Sequence, residues 1–207
     1  MKHHKPALFL LAYILFLFIF PSFIFNQVEC INVAAYRNFL VYAILMIFSL
    51  CLFWKDLFNE FKEIESGKKY FKQIIIWTLS AFILINILGS FIPSEGVSQN
   101  EAGVRAALTA HPLIMLIPVV LFGPFVEEIV FRYILVGRFP GHKWLGIFLS
   151  SLLFGLLHIT SGDFIFLYVY MLMGLILGIF YHRNQNIWFS VGVHILNNLV
   201  ASLISFL

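Results

Sequence analysis

The stretch FVEEIVFRYIL, residues 125–135, sets two adjacent glutamates and an arginine inside an otherwise apolar run. A charge near the centre of a membrane helix costs about 2.5–3.5 kcal/mol on insertion scales, so three such groups demand partners. Glu128 and Arg132 are spaced i, i+4, on one helix face and in the favoured acid-before-base order, so they can neutralise each other. Glu127 points about 140° away from Arg132 and is left as a carboxylate in need of another partner. The embedded polar residues available to it are His158 in LLFGLLHIT, and His194 and Asn198 in SVGVHILNN. His194 and Asn198 share one face by their i, i+4 spacing. Phe154 stands the same distance before His158, where its ring can limit rotation of the imidazole or line a pocket. A carboxylate, two imidazoles and a carboxamide from three helices, in apolar surroundings and with an ion pair beside them, point to a functional site. Glu127, His158 and His194 are equally a three-ligand zinc set with water in the fourth position. The bland alternative is a salt bridge and hydrogen-bonded histidines that only lock helices together.

The elements that must position these groups follow from composition. Of 207 residues, 61% are hydrophobic and 11% charged, against about 25% charged in soluble domains. The apolar residues fall in long runs, which predicts an all-α, polytopic transmembrane helical bundle. Seven spans are expected at about 7–25, 38–54, 73–92, 112–137, 144–161, 164–181 and 187–207. The fourth is interrupted by Pro118, Gly123 and Pro124, so it is expected either as one helix or as two pieces, with the glutamates in the first turn after Pro124. With ~1.5 Å of rise per residue, Glu127 and His194 fall nearer one side of the membrane and His158 nearer the other. Residues 1–207 read as a single membrane domain without repeats or a soluble module, in which 1–111 carry three spans and no motif.

Ten lysines and arginines lie in the tail and loops of one side, and only Arg37 and Arg105 in the loops of the other. The positive-inside rule places the N-terminus in the cytoplasm and the C-terminus outside. The net charge of +3 is therefore topological, and no nucleic-acid partner is expected. Lys55–Lys72 reads either as an interfacial amphipathic helix or as a solvated linker leading into the third span. The first span reads as an uncleaved signal anchor, and Cys30 and Cys51 are expected to stay unpaired. His3, His4, His111, His142 and His182 sit in tails, loops or span edges and are given no role.

Three motifs carry a resemblance. EEIVFR (127–132) fits EExxxR, FGLLH (154–158) fits FxxxH, and HILNN (194–198) fits HxxxN, in the order seen in the CAAX-processing and bacteriocin-processing family of intramembrane proteases, also called CPBP or Abi. The Ras-converting prenyl-protein endopeptidase belongs to that family, and the resemblance covers about residues 112–201. It implies an intramembrane endopeptidase in which Glu127 activates water with help from His158. By the same matching, His194 and Asn198 stabilise the oxyanion, while Glu128 and Arg132 hold the site together. The family has been called metalloprotease, so zinc on Glu127, His158 and His194 is possible. Against zinc stand the lack of an HExxH-like pair and the carboxamide of Asn198, which suits an oxyanion donor better than a metal ligand. The expected partners are the lipid bilayer and a peptide or protein substrate in the membrane. The compact chain looks more like the bacterial members, multi-pass plasma membrane proteins whose substrates are thought to be leader peptides, pheromones or membrane proteins. Family links to peptide-toxin self-immunity keep a non-catalytic immunity or scaffold role as the alternative. A proton-coupled transporter would also use intramembrane Glu and His, but no repeat symmetry is found.

Overall fold

The computed structural model describes residues 4–19, 31–91, 96–139, 141–159 and 162–206, and every element within them is helical. In chain order these are α1 (His4–Ile19), α2 (Ile31–Lys62), α3 (Gly67–Gly89), the short α4 (Gln99–Ala110), α5 (Pro112–Val136), α6 (Lys143–His158), α7 (Leu167–Asn184, entered through a tight turn at Phe164–Phe166) and α8 (Ile187–Ile204). The helices at α2, α3, α5, α7 and α8 are long and apolar enough to cross a membrane, and α1 and α6 are shorter apolar helices. The chain is an all-α, multi-pass membrane protein. Cys30 and the last six residues of the first expected span, 20–25, lie outside the described residues, and with them the expectations about cysteine pairing and a signal anchor.

Lys55–Lys72 forms neither a separate interfacial helix nor a linker. α2 runs on to Lys62, α3 begins at Gly67 behind the N-cap Ser66, and only a tight turn separates them. Tertiary contacts hold the extended end of α2. Leu57 is buried, and its carbonyl accepts from the Trp188 indole at 2.8 Å. The Glu60 carboxylate accepts the Ile187 backbone N–H at 2.6 Å, capping the start of α8, where a negative charge is favoured. Close by, the Asp56 carboxylate accepts from the Tyr133 hydroxyl at 2.6 Å, and Arg138 donates to the Tyr133 hydroxyl and carbonyl at 3.0 Å each.

α5 is the central helix: 61% of its most apolar window is buried, against 17–39% in the other long helices. It is one continuous element, which removes the two-piece alternative, but its winding changes twice. Ordinary α-turns at Pro112–Ile117 and Gly123–Glu128 alternate with wider π-turns at Pro118–Phe122 and Ile129–Val136. The first wide turn follows from proline. Pro124 brings no N–H and its ring crowds the carbonyl one turn back, so the helix opens there. The Gly123 N–H then bonds the Pro118 carbonyl five residues back. A side chain at Gly123 would put its Cβ 2.9 Å from that same carbonyl oxygen, so the position requires glycine. The Val119 carbonyl loses both helical partners, because Gly123 has turned to Pro118 and Pro124 cannot donate.

α6 and α7 pack with their backbones close, through small residues one turn apart on each helix. A Cβ added at Gly174 would lie 2.9 Å from Ser151 Cα, one at Gly178 2.9 Å from Ile147 Cγ2, and one at Gly155 2.8 Å from Leu167 Cδ1. Gly174→Ala must therefore push the two helices apart and should cost about 1–3 kcal/mol of stability. Gly103→Ala on the exposed face of α4, where a Cβ meets nothing within 4 Å, should be neutral or stabilising by about 0.5–1 kcal/mol. Thermal unfolding in detergent reads both, and equal melting of the two variants would contradict the close α6–α7 packing.

Candidate active site

The deepest part of the site is an ion cluster on the second half of α5. Glu128 and Arg132 are both fully buried, and Glu128 Oε1 accepts from Arg132 Nη1 at 2.9 Å. The same oxygen meets His194 Nδ1 of α8, also at 2.9 Å. Arg132 Nη2 donates to the Gly174 carbonyl of α7 at 3.1 Å, and its guanidinium stands 4.8 Å above the Phe154 ring of α6. One cluster therefore joins four helices. Glu128 Oε2 and Arg132 Nε are buried without a hydrogen-bond partner.

A carboxylate only accepts, so His194 carries a proton on Nδ1 towards Glu128. Its Nε2 is thereby aimed elsewhere, 3.7 Å from Glu127 Oε2. That separation is too long for a direct hydrogen bond. Unlike Glu128, Glu127 lines a cavity of about 620 Å³, within the range of ~300–1,000 Å³ usual for ligand sites. The Tyr42 hydroxyl of α2 lies against the Glu127 carboxylate.

His158 is the last residue of α6. Its Nδ1 sits 2.7 Å from the Phe154 carbonyl, which leaves Nε2 as the ring nitrogen with a lone pair to offer. Its ring is held between Phe154 (4.4 Å between centroids) and Tyr170 of α7 (4.7 Å, stacked). The Tyr170 hydroxyl is bound in turn by Ser98 and Asn100 at the start of α4. Asn198 Nδ2 donates at 2.9 Å to the Val119 carbonyl, the group stranded by Pro124 and the wide turn of α5. Its Oδ1 accepts from Asn197 at 3.2 Å.

The four residues expected to act together, Glu127, His158, His194 and Asn198, all line this one cavity, with Phe154 among them; Glu128 and Arg132 stand behind it. The mismatch in depth disappears because α6 is short and ends at His158, level with the site, instead of running on to about 161. Phe154 touches both imidazoles, with His194 at 5.8 Å. Sequence reasoning missed the bond from His194 to Glu128, the seat of Asn198 on Val119, and Tyr42 and Tyr170. The two tyrosines had a signal, a polar tip inside an apolar run. Among the described residues no three His, Cys, Asp or Glu side chains are grouped so as to hold a metal ion.

Residues 109–200 match the family model described as Type II CAAX prenyl endopeptidase Rce1-like. The chain is 30% identical over 152 residues to the membrane-embedded CAAX protease MroQ of Staphylococcus aureus (strain USA300), covering 66% of this chain and 59% of that protein. It is 28% identical over 134 residues to the putative membrane peptidase YdiL of Bacillus subtilis (strain 168), covering 60% and 53%. It is 32% identical over 147 residues to the UPF0177 protein YbdI of Lactococcus lactis subsp. lactis (strain IL1403), covering 66% and 77%. The chain thus spans little more than half the length of the first two of these relatives. No solved structure matches it.

The two glutamates should differ sharply in what they do for stability. Glu128→Gln leaves the Arg132 charge buried without its counter-ion and offers Arg132 and His194 only a neutral, weaker acceptor, so a loss of about 3–5 kcal/mol is expected. Glu127→Gln, on the cavity wall, should melt almost as the parent does. Asn198→Ala orphans the Val119 carbonyl and should cost about 1–3 kcal/mol, with Asn197→Ala milder. Unfolding in detergent ranks the four variants, and equal losses at Glu127 and Glu128 would contradict their separation into a cavity-lining and a sealed carboxylate.

Proposed function

Because the chain belongs to the Rce1-like CAAX prenyl endopeptidase family, we propose that its cavity hydrolyses a peptide bond in a membrane-associated protein or peptide, with Glu127 as the base. One observation carries this reading. Of two adjacent glutamates, Glu128 is consumed by Arg132 and His194, while Glu127 faces the cavity beside His194 Nε2.

In this reading water sits between Glu127 and the scissile carbonyl. Glu127 takes one proton as the water oxygen bonds to the carbonyl carbon, and the carbonyl oxygen becomes an oxyanion. His194, fixed by Glu128 at Nδ1, faces that oxyanion through Nε2 and donates to it when that nitrogen is protonated. Asn198 adds its second N–H, the first being held by Val119. Collapse breaks the C–N bond, and the proton taken by Glu127 passes to the leaving amine, with His158 Nε2 as the neighbouring relay. The products are a carboxylic acid and an amine, and passage of the acid's proton to the amine leaves a carboxylate and an ammonium group; both protons come from the water. Glu128, Arg132 and Phe154 position His194 and His158 and touch no reacting atom.

Glu127→Gln keeps size and hydrogen bonding but removes the base. It should abolish cleavage of a quenched fluorescent peptide by the purified protein, while membrane abundance and melting stay unchanged. Retained cleavage in this variant would overturn the assignment. Protein handled in chelator should still cleave. Full loss of cleavage on chelation, recovered by adding zinc, would recast Glu127, His158 and His194 as ligands.

A further inference from the structure

The bundle has two unlike ends. One gathers the start of α1, the α2–α3 turn, the α5–α6 turn and the α7–α8 turn. Lys5 is tied there to the Leu52 carbonyl at 2.8 Å, Glu60 to Ile187, and Arg138 to Tyr133. With Lys5 and Arg138, this end carries Lys55, Lys62, Lys68, Lys69, Lys72, Lys143 and Arg183. Among the described residues the opposite end carries only Arg37 and Arg105. The cavity belongs wholly to this basic-poor end. Its walls are the beginnings of α2, α5 and α7, the ends of α3, α6 and α8, and α4 across the mouth. Glu127 and His194 are in its wall, and nothing in its lining comes from the lysine-rich turns.

The lining also has a chemical character. Five asparagines, Asn38, Asn86, Asn100, Asn197 and Asn198, stand around it. A carboxamide both donates and accepts, as a peptide bond does. Apart from Glu127 and the two histidines, the ionisable side chains in the charged classes are Glu101 and Arg105, and these are paired with each other at 2.5 Å. Among the described residues the mouth therefore presents no unpaired charge for a phosphate or a terminal carboxylate.

Since basic loops are retained on the cytoplasmic side, we infer that the cavity opens on the non-cytoplasmic face of the membrane and takes an extended, uncharged polypeptide segment presented from that face. The identity of this substrate class rests on the hydrolytic reading above; the direction of opening does not.

The test uses the full chain with Cys30→Ser and Cys51→Ser as background and a membrane-impermeant maleimide on intact cells. Val97→Cys, exposed at the cavity mouth, should label in intact cells. Glu65→Cys, exposed in the α2–α3 turn, should label only after lysis. Ala106→Cys, exposed on α4, stands in for Val97→Cys if that variant does not accumulate. The reverse pattern overturns the proposal. In a second arm, a quenched peptide of uncharged residues is offered to right-side-out and inside-out vesicles. Cleavage that depends on Glu127 is expected in right-side-out vesicles alone. The same peptide with a central Asp or Lys should be cut at least ~tenfold more slowly, because its charge would be desolvated without a partner. Cleavage by inside-out vesicles alone, or equal cutting of charged and uncharged peptides, sinks the substrate assignment. Cleavage by neither kind of vesicle, with Val97→Cys labelled from outside, overturns the hydrolytic reading and supports the direction of opening.

Discussion

A single carboxylate oxygen carries much of this structure. Glu128 Oε1 accepts from a guanidinium on its own helix and from an imidazole on another, in surroundings where neither charge can be hydrated. Removing a partner from such a pair leaves an ion in low dielectric, a far larger penalty than the net worth of the pair itself. The cluster therefore acts less as glue than as a constraint on geometry. It admits one relative placement of α5 and α8, the one in which His194 turns its second nitrogen towards Glu127. The guanidinium extends the constraint to α7 through the Gly174 carbonyl and to α6 through the face of Phe154. These reaches are short because glycines and serines let the α6 and α7 backbones approach.

The second constraint is a backbone carbonyl. Pro124 and the wide turn before it strand the oxygen of Val119, and hydrocarbon offers no water to satisfy it. The carboxamide of Asn198 does so from α8. α8 thus meets α5 at two levels, an ionic contact at His194 and a neutral one a turn later at Asn198. Both contacts use residues that face the cavity. Holding the helices and shaping the site are here one task, carried by the same side chains.

Much of this was legible in sequence because it is local. The i, i+4 spacing of Glu128 and Arg132 states their pairing outright, and the long apolar runs state the helices. The grouping of Glu127, His158, His194 and Asn198 could be argued because few other polar residues are embedded. What escaped depends on which helix lies beside which. No spacing within α8 reveals that His194 bonds Glu128 and only approaches Glu127. Tyr42 lies more than eighty residues from Glu127, in a region without a motif, and only tertiary packing brings it to the carboxylate. The continuation of α2 through Lys55 and Lys62 was hidden by its charges, since hydropathy marks where a helix leaves hydrocarbon and not where it ends. Buried Leu57 and the capping of α8 by Glu60 supply the missing reason.

The wide turn at Pro118–Phe122 bears on chain length. It fits one residue more than a regular helix would over the same path. Deleting a residue from this stretch would leave α5 long enough for a bilayer and as apolar as before, so hydropathy would register no change. It would close the wide turn into regular winding over the same path, so the Pro112–Ile117 segment would keep its direction and Met115 its place against Ala35 and Leu108. The carbonyl that Asn198 now reaches would instead be drawn off its place, since the Gly123 N–H turns to Pro118 only while the extra residue is there. The extra residue thus serves a contact between two helices and not the reach of the one that holds it.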